Sequence, residues 1–323
     1  MEKYDVVAMG ELLIDFTQNG YSDRGNPVFE ANPGGAPCNV LAMLQKLGRK
    51  TAFIGKVGQD GFGYQLEKAL KETGIATEGL RFDKEVHTTL AVVQKKEDGD
   101  RDFSFYRKPG ADVMLRMEEV REDLIQNAKI FHFGSLSLTD EPIRKATQRA
   151  VQAAKNAGIW LSFDPNLRKP LWESEALAKE QIRYGLKHCH ILKISDDELV
   201  WLTGERDHDK AVEQLRAEFP VPLILLSMGK DGSRAYCGGQ TAEMASFLNE
   251  NTIETTGAGD TFMGCMLHQV LSKGYQGLSR QEMEEMLAFA NAAASIITTR
   301  RGALRVMPEE EEIKGVLEYN GKS

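Results

Sequence analysis

Thr255, Thr256, Gly257, Ala258, Gly259 and Asp260 stand in a row, and an apolar run from Phe262 to Leu271 follows at helical spacing. A helix that starts at a glycine-rich turn presents unpaired backbone N–H groups and the positive end of its dipole, so it can hold an anion. A carboxylate directly behind that turn would repel a resting phosphate. Its natural use is to take a proton from a hydroxyl that attacks the phosphate. These residues therefore read as the reaction centre of a phosphoryl transferase. They also read as an ordinary glycine turn with an acidic residue at a helix N-terminus, so other groups must decide.

Four further stretches carry chemistry. Asn32, Pro33, Gly34, Gly35, Ala36, Pro37, Cys38 and Asn39 precede a helix. Adjacent glycines permit close backbone approach to a ligand, and Asn39 offers an amide to hydroxyls; a turn with an Asn cap has the same pattern. Asp164, Asn166 and Arg168 alternate beyond the end of a buried strand, where polar groups can hold a polar ligand. Lys193 lies within an apolar strand just before Ser195, Asp196, Asp197 and Glu198. A buried lysine is costly unless its charge is paired or binds an anion. Ser227 to Gly232 follows another apolar strand; it suits a nucleotide-contacting turn, or more simply a hairpin. All five stretches come after strand-like segments.

The elements that position them alternate. Val6–Met9, Ala52–Gly55, Ile130–Phe133, Trp160–Phe163, Ile191–Ile194 and Leu223–Leu226 are short apolar runs of buried-strand type. Helical patterns occupy Asn39–Leu47, Phe62–Leu70, 141–157, 174–188, 196–202 and 208–218. This alternation predicts an α/β fold, a mostly parallel, doubly wound sheet with helices on both faces. Ligands bind past the carboxyl ends of such strands. Residues 11–33 and 86–107 break the pattern with extended alternation, and Glu97 to Asp100 forms a turn signal in the second. They predict a small β lid on a core built from 1–10, 34–85 and 108–323. The acidic run Glu309–Glu312 reads as the start of a terminal solvated helix.

Hydrophobic residues make up 41% of the 323 and charged residues 27%, with a net charge of −8. That balance suits a soluble globular protein and argues against nucleic-acid or anionic-membrane partners. No apolar run is long enough to span a bilayer. The N-terminus runs into a strand pattern with no signal-peptide character. Cys38, Cys189, Cys237 and Cys265 lie far apart without a CxxC pair, as in a cytoplasmic protein with reduced thiols. His188 and His190 lack metal-ligand spacing. Gly321, Lys322 and Ser323 imitate the end of a phosphate loop, but Val316 stands where that loop needs glycine.

Taken together, the ordered motifs resemble the ribokinase-like, or PfkB, family of sugar and nucleoside kinases over about Val6 to Pro308. Gly34-Gly35 with Asn39 is similar to its N-terminal signature, and Thr255–Phe262 to its C-terminal one. Within the family the chain resembles fructokinases most, on Asn32–Asn39, Phe53–Gly58, Phe105–Asp112, Phe163–Arg168 and Leu171-Trp172. The resemblance implies roles. Asp260 would be the general base, with Gly257, Ala258 and Gly259 forming the anion hole for the γ-phosphoryl group. Asp15, Gly34, Gly35 and Asn39 would hold sugar hydroxyls, with Arg107 from the lid and Arg168 reaching sugar or phosphate. Asn166 and Lys193 would lie along the nucleotide phosphates, and Glu198 would order Mg2+ through water. Ser227, Gly229, Gly232 and Asn291 would flank the nucleotide. Ile253, Thr255 and the loop Thr299–Leu304 would supply oxygens to K+, and Glu254 stands where fructokinases usually have Asp. Ser195 stands where many relatives have Asn.

The implied activity is ATP-dependent phosphorylation of D-fructose, with lid closure before attack and a homodimer formed through the lid. A kinase for 2-keto-3-deoxygluconate, ribose or a nucleoside is the alternative; Tyr106-Arg107 and Arg168 would suit an acidic sugar. A nucleotide-binding dehydrogenase would need GxGxxG after the first strand, and Met9 to Asp15 lacks it. A non-catalytic sugar sensor would not need the intact Gly257–Asp260 turn.

Overall fold

The computed structural model describes residues 4–95 and 101–320. The turn expected at 97–100 and the tail 321–323 lie outside them. The strands are β1 (Tyr4–Met9), β2 (Leu13–Tyr21), β3 (Pro27–Gly34), β4 (Thr51–Gly58), β5 (Ala76–Asp83), β6 (Leu90–Lys95), β7 (Arg101–Tyr106), β8 (Ala128–Gly134), β9 (Trp160–Asp164), β10 (Ile191–Ser195), β11 (Leu223–Ser227), β12 (Ser233–Cys237) and β13 (Gln240–Met244). The helices are α1 (Ala36–Lys46), α2 (Gly61–Thr73), α3 (Glu122–Gln126), α4 (Ile143–Asn156), α5 (Glu175–His188), α6 (Asp196–Thr203), α7 (His208–Glu218), α8 (Ala258–Lys273), α9 (Arg280–Ile297) and α10 (Glu310–Asn320).

Among the described residues, nine strands form one sheet in the order β13-β12-β11-β10-β9-β8-β1-β4-β5. From β11 to β5 every neighbouring pair is parallel; β12 and β13 add antiparallel to one edge. The chain starts in the middle at β1, moves outward through β4 and β5, then returns to β8 beside β1 and moves the other way. That reversal opens a crevice past the strand ends.

Both faces of the sheet are covered because successive strand residues point to opposite sides. Val6 and Ala8 pack in one apolar cluster with α1, α2, α8 and α9. Val7 and Met9 pack in the other with α4, α5 and α7. Phe53 and Ile54 divide the same way on β4. This is why the strands read as continuous apolar runs rather than as alternating ones. The terminal helix α10 is not simply solvated, since Ile313 is fully buried in the first cluster.

A second sheet, β3-β2-β6-β7, stands apart from the first. Strand β2 pairs antiparallel with β3 and parallel with β6, which pairs antiparallel with β7. Two strands, β2 and β3, leave the core after Met9 and return at Gly34, directly into α1. The second sheet is therefore tethered to the mouth of the crevice.

Candidate active site

A cavity of about 610 Å³ opens at the crevice. Its walls come from the segment after β1, from β2, from the start of α1, from the ends of β9 and β10, and from residues 252–260. Asp15, Gly35, Asn39, Asn166, Arg168, Lys193, Ile253, Thr255, Gly257, Gly259 and Asp260 all line it.

The first turn of α8 forms one wall. Gly257 caps the helix with φ +77, a left-handed conformation that favours glycine. A Cβ there would lie 2.6 Å from the Ala303 Cβ. The Ala258 N–H donates to the Thr255 oxygen at 3.2 Å, so it serves the turn, and the next N–H groups are the ones an α-helix leaves unpaired. Asp260 follows in that turn. Its Oδ2 accepts from Asn39 Nδ2 at 2.8 Å. Burial pushes the Asp260 carboxyl up, against the opposing pull of Asn39, Lys193 and Arg168. Helix α8 packs tightly on α1 one turn further along, where a Cβ on Gly264 would lie 2.6 Å from Met43 Cβ.

The glycine pair serves the protein's own backbone as much as any ligand. A Cβ on Gly34 would meet Asp15 Oδ2 at 2.0 Å, and one on Gly35, with φ +124, would meet the Glu11 carbonyl at 2.4 Å. The pair thus lets the segment 11–15 lie against the start of α1, bringing Asp15 to the cavity that Asn39 also lines. Burial raises the Asp15 carboxyl to about 7; Arg168 opposes, while Asp260 and Glu254 add to the rise. Asn39 is buried and its Oδ1 has no hydrogen-bond partner among the described residues. An orphan acceptor at a cavity wall is a place for a ligand hydroxyl.

Lys193 answers the question that its burial posed. It is 7% exposed, with Nζ 3.0 Å from Asp164 Oδ2. Burial alone would lower the Lys193 ammonium, but Asp164, Glu198 and Asp260 outweigh it and hold it above its ordinary value. Burial raises Asp164 to about 6, with Lys193 pulling the other way. A Cβ on Gly259 would stand 3.2 Å from Lys193 Nζ, so the ammonium lies beside the helix start. Asn166 has φ +42, alone among the described non-glycine residues in being positive. Strained backbone of this kind gathers at functional sites. Arg168 is exposed at the cavity wall, near enough to act on both Asp15 and Asp260.

Several expected residues lie elsewhere. Arg107 is 5% exposed and does not line the cavity. Its Nε donates to Asp112 Oδ2 at 2.8 Å, Nη1 to Thr139 Oγ1 at 2.9 Å and Nη2 to the Leu136 oxygen at 2.8 Å. Asp112, five residues on, folds back to claim it. Asn291 donates to the Met244 and Ala245 oxygens, both at 3.1 Å, and accepts from Ser233 Oγ at 2.8 Å. Its amide is spent on the protein itself. Gly232, with φ +103, has the Met244 oxygen where a Cβ would go, at 2.2 Å. Ser227 pairs with Ser233 across the β11–β12 hairpin, which Gly229 helps to turn. None of these four lines the cavity. Glu198 completes a capping box on α6, accepting from Ser195 N–H at 2.9 Å and from Leu167 N–H at 2.6 Å.

Among the described residues no group of three or more His, Cys, Asp and Glu could hold a metal ion. Segment 252–255 runs beside the 298–302 loop: Ile253 and Glu254 N–H donate to the Thr298 oxygen at 2.9 and 3.1 Å, and Gly302 N–H donates to Glu254 Oε1 at 2.8 Å.

Sequence reasoning passed over Glu11 and His132. Glu11 is 4% exposed, lines the cavity, and accepts from Ala36 N–H at 3.0 Å. His132 lies buried beneath the site with Nδ1 2.9 Å from Ser162 Oγ, and burial, aided by Lys193, lowers it to about 3. A buried-strand pattern carrying one titratable side chain was the available signal for His132.

Known proteins carry the same organisation. Fructokinase-2 of Solanum lycopersicum is 41% identical over 309 residues, covering 95% of this chain and 94% of its own. A fructokinase from Xylella fastidiosa, solved with bound ATP, superposes with a TM-score of 0.89 at 29% identity, covering 99% of each chain. A double mutant of fructokinase from Vibrio cholerae O395, in a form with fructose, ADP and potassium ion, gives 0.87 at 27% identity, covering 98% of this chain and 99% of its own. The model of the pfkB family of carbohydrate kinases matches residues 3–310, and the chain belongs to that family.

Proposed function

We propose that this protein is an ATP-dependent fructokinase, transferring the γ-phosphoryl group of ATP to the 6-hydroxyl of D-fructose to give fructose 6-phosphate and ADP. The relatives named fructokinase support the substrate. The observation that carries the chemistry is the carboxylate Asp260 at the start of α8, held by Asn39 and facing a cavity that also contains Lys193.

Asp260 takes the proton of the 6-hydroxyl as its oxygen forms a bond to the γ-phosphorus. The bond from phosphorus to the β–γ bridging oxygen breaks, and ADP departs. The N–H groups at Gly257 and Gly259, with Lys193, stabilise negative charge as it develops on the transferring group. Asp15, Asn39 through its free Oδ1, and Arg168 orient the sugar. Bound Mg2+ would supply charge neutralisation for the nucleotide phosphates. A K+ ion would sit between 253–255 and the 299–304 loop, where Glu254 already joins the two segments. Glu198 would reach Mg2+ only through water, since two N–H groups hold its carboxylate. Closure of the second sheet over the sugar would exclude water and limit ATP hydrolysis.

The acidic-sugar alternative asks for both Arg107 and Arg168, and only Arg168 opens to the cavity. We place a homodimer contact on the second sheet, whose edge strands β3 and β7 carry Val28 and Tyr106, 43% and 63% exposed; a monomer by light scattering would refute that. A cytoplasmic setting fits four free, buried thiols.

A coupled kinase assay over hexoses, pentoses, nucleosides and 2-keto-3-deoxygluconate tests the substrate, with D-fructose expected to be preferred. Asp260→Asn should lose about 10²–10⁴ in turnover, the range for a general base, while fructose binding by calorimetry persists. Near-parent turnover in that variant removes Asp260 from the mechanism.

A further inference from the structure

Helix α1 carries Asn39, and its start poses a hydrogen-bonding problem. Ala36 is its first residue, and Gly35 before it has no side chain to cap the exposed N–H groups. Pro37 has no N–H, and the Asn39 N–H is used by the Gly35 oxygen at 3.0 Å. The Ala36 N–H is taken by Glu11 Oε1 at 3.0 Å, from 25 residues earlier in the chain. A buried carboxylate at a helix N-terminus satisfies an orphan donor and complements the dipole. Close contact of the Glu11 backbone with Gly35 fixes the same junction.

We propose that Glu11 is a positioning residue for phosphoryl transfer: by capping α1 at Ala36 it sets the helix so that Asn39 donates to Asp260 and holds the base in place. This rests on Asp260 being the base. Glu11 itself lies near Arg107, Asp112 and Cys38, and shares a chamber of about 10 Å³ with His132 and Asp164. Burial raises its carboxyl to about 7, with Arg107 opposing and Asp112 adding. The charged groups around Asp260 are Lys193, Arg168, Asp15 and Asp164. None of these is among the charges that act most on Glu11, which are Arg107 and Asp112.

The test compares Glu11→Gln with Glu11→Ala. Both remove the carboxylate charge, but only Gln keeps an oxygen for Ala36 N–H. Asn39 stabilises the ionised form of Asp260, so loosening Asn39 raises the pH at which the base becomes active. The acidic limb of the kcat/KM profile for fructose should lie about one pH unit higher in Glu11→Ala than in Glu11→Gln. Turnover should fall at least about tenfold in Glu11→Ala, as misplacement of a reacting group does, while Glu11→Gln stays near the parent. If the Ala variant does not fold, Ala36→Pro removes the same N–H at a position where proline suits a helix, and should shift the limb likewise. Coincident limbs and turnovers for Ala and Gln, or an unmoved limb in Ala36→Pro, overturn the proposal. Asp260→Asn measured alongside separates the two failures. If it is active, the base assignment is wrong; if it is inactive while Ala and Gln coincide, only the role of Glu11 is wrong.

Discussion

Replacing Lys193 by Met should destabilise the protein in a pH-dependent way that the structure allows to be sized. Lys193 and Asp164 form a buried pair at 3.0 Å. Burial raises the Asp164 carboxyl, and Lys193 holds the rise to about 6. Without the ammonium, Asp164 rises further and stays protonated at neutral pH. A raised carboxyl keeps in the folded state a proton that the unfolded state has lost. Stability therefore falls as pH climbs from the unfolded value, near 3.9, to the folded one, by up to about 1.36 kcal/mol per unit. In the parent this fall ends near 6; in Lys193→Met it continues. If Asp164 is pushed to 8 or beyond, the deficit of the variant relative to the parent grows by up to about 2.7 kcal/mol between pH 6 and pH 8. The whole deficit is bounded by the roughly 3–5 kcal/mol that follows loss of one partner from a buried pair. Lys193 itself is raised above its ordinary value, so its own titration lies well above this window. Lys193 is not among the charges that act on Glu11 and Asp15, so those two cancel in the difference, whereas Asp260 loses the same ammonium, rises further and adds to the growing deficit. Urea unfolding of both proteins at pH 6 and pH 8 gives the measurement. A deficit that does not change with pH refutes the reasoning, and adding Asp164→Asn to Lys193→Met should shrink the pH dependence to the part that Asp260 contributes.

Gly257→Ala places a side chain at φ +77 and 2.6 Å from Ala303 Cβ. It should cost about 1–2 kcal/mol for the left-handed conformation alone, visible as a lowered Tm, and Ala303→Gly should recover only the steric part. Asn291→Ala should cost about 1–3 kcal/mol, because it leaves Ser233 and two carbonyls unpaired, while the KM for ATP stays unchanged; a large rise in that KM would return Asn291 to the nucleotide site. The Asp15 carboxyl, raised to about 7 by burial, offers its full set of acceptors only above that value. The fructose KM should therefore rise as pH falls below 7, and Asp15→Asn should remove this dependence; a parent profile that is flat from pH 6 to pH 8 counts against Asp15 as a sugar ligand.

The parallel core was legible because its strands are buried on both faces and interrupted by long amphipathic segments. Ile130–Phe133, Ile191–Ile194 and Leu223–Leu226 fall inside β8, β10 and β11. Strand β5 was not legible: Ala76–Asp83 mixes Glu78, Gly79 and Arg81 into an edge position, where burial does not enforce an apolar run. Helix α9 went unread although its buried Met283, Met286, Leu287, Ala290, Ala293 and Ile297 recur at helical spacing. At the site, placement was legible where it follows from local spacing, as for Gly257 at the cap of α8 and Asp260 in its first turn. The contacts of Arg107 were not legible, because they depend on Asp112 folding back. Those of Asn291 were not, because they depend on β13 running beside α9. Glu11 escaped notice because its partner, Ala36, arrives only after an excursion through two strands.

The tight contact of Gly264 with Met43 has a mechanical consequence. Asp260 and Asn39 each sit one turn up from that contact, on two helices locked flank to flank, so acid and amide move as one body. Asp15 rides on β2, in the other sheet. Swinging that sheet inward would carry a hydroxyl toward its proton acceptor while the acceptor keeps its hydrogen bond from Asn39. Holding the proton acceptor and delivering the alcohol are thereby assigned to different bodies, and substitutions on β3 or β7 should change how often the alcohol arrives while the hydrogen bond from Asn39 to Asp260 persists.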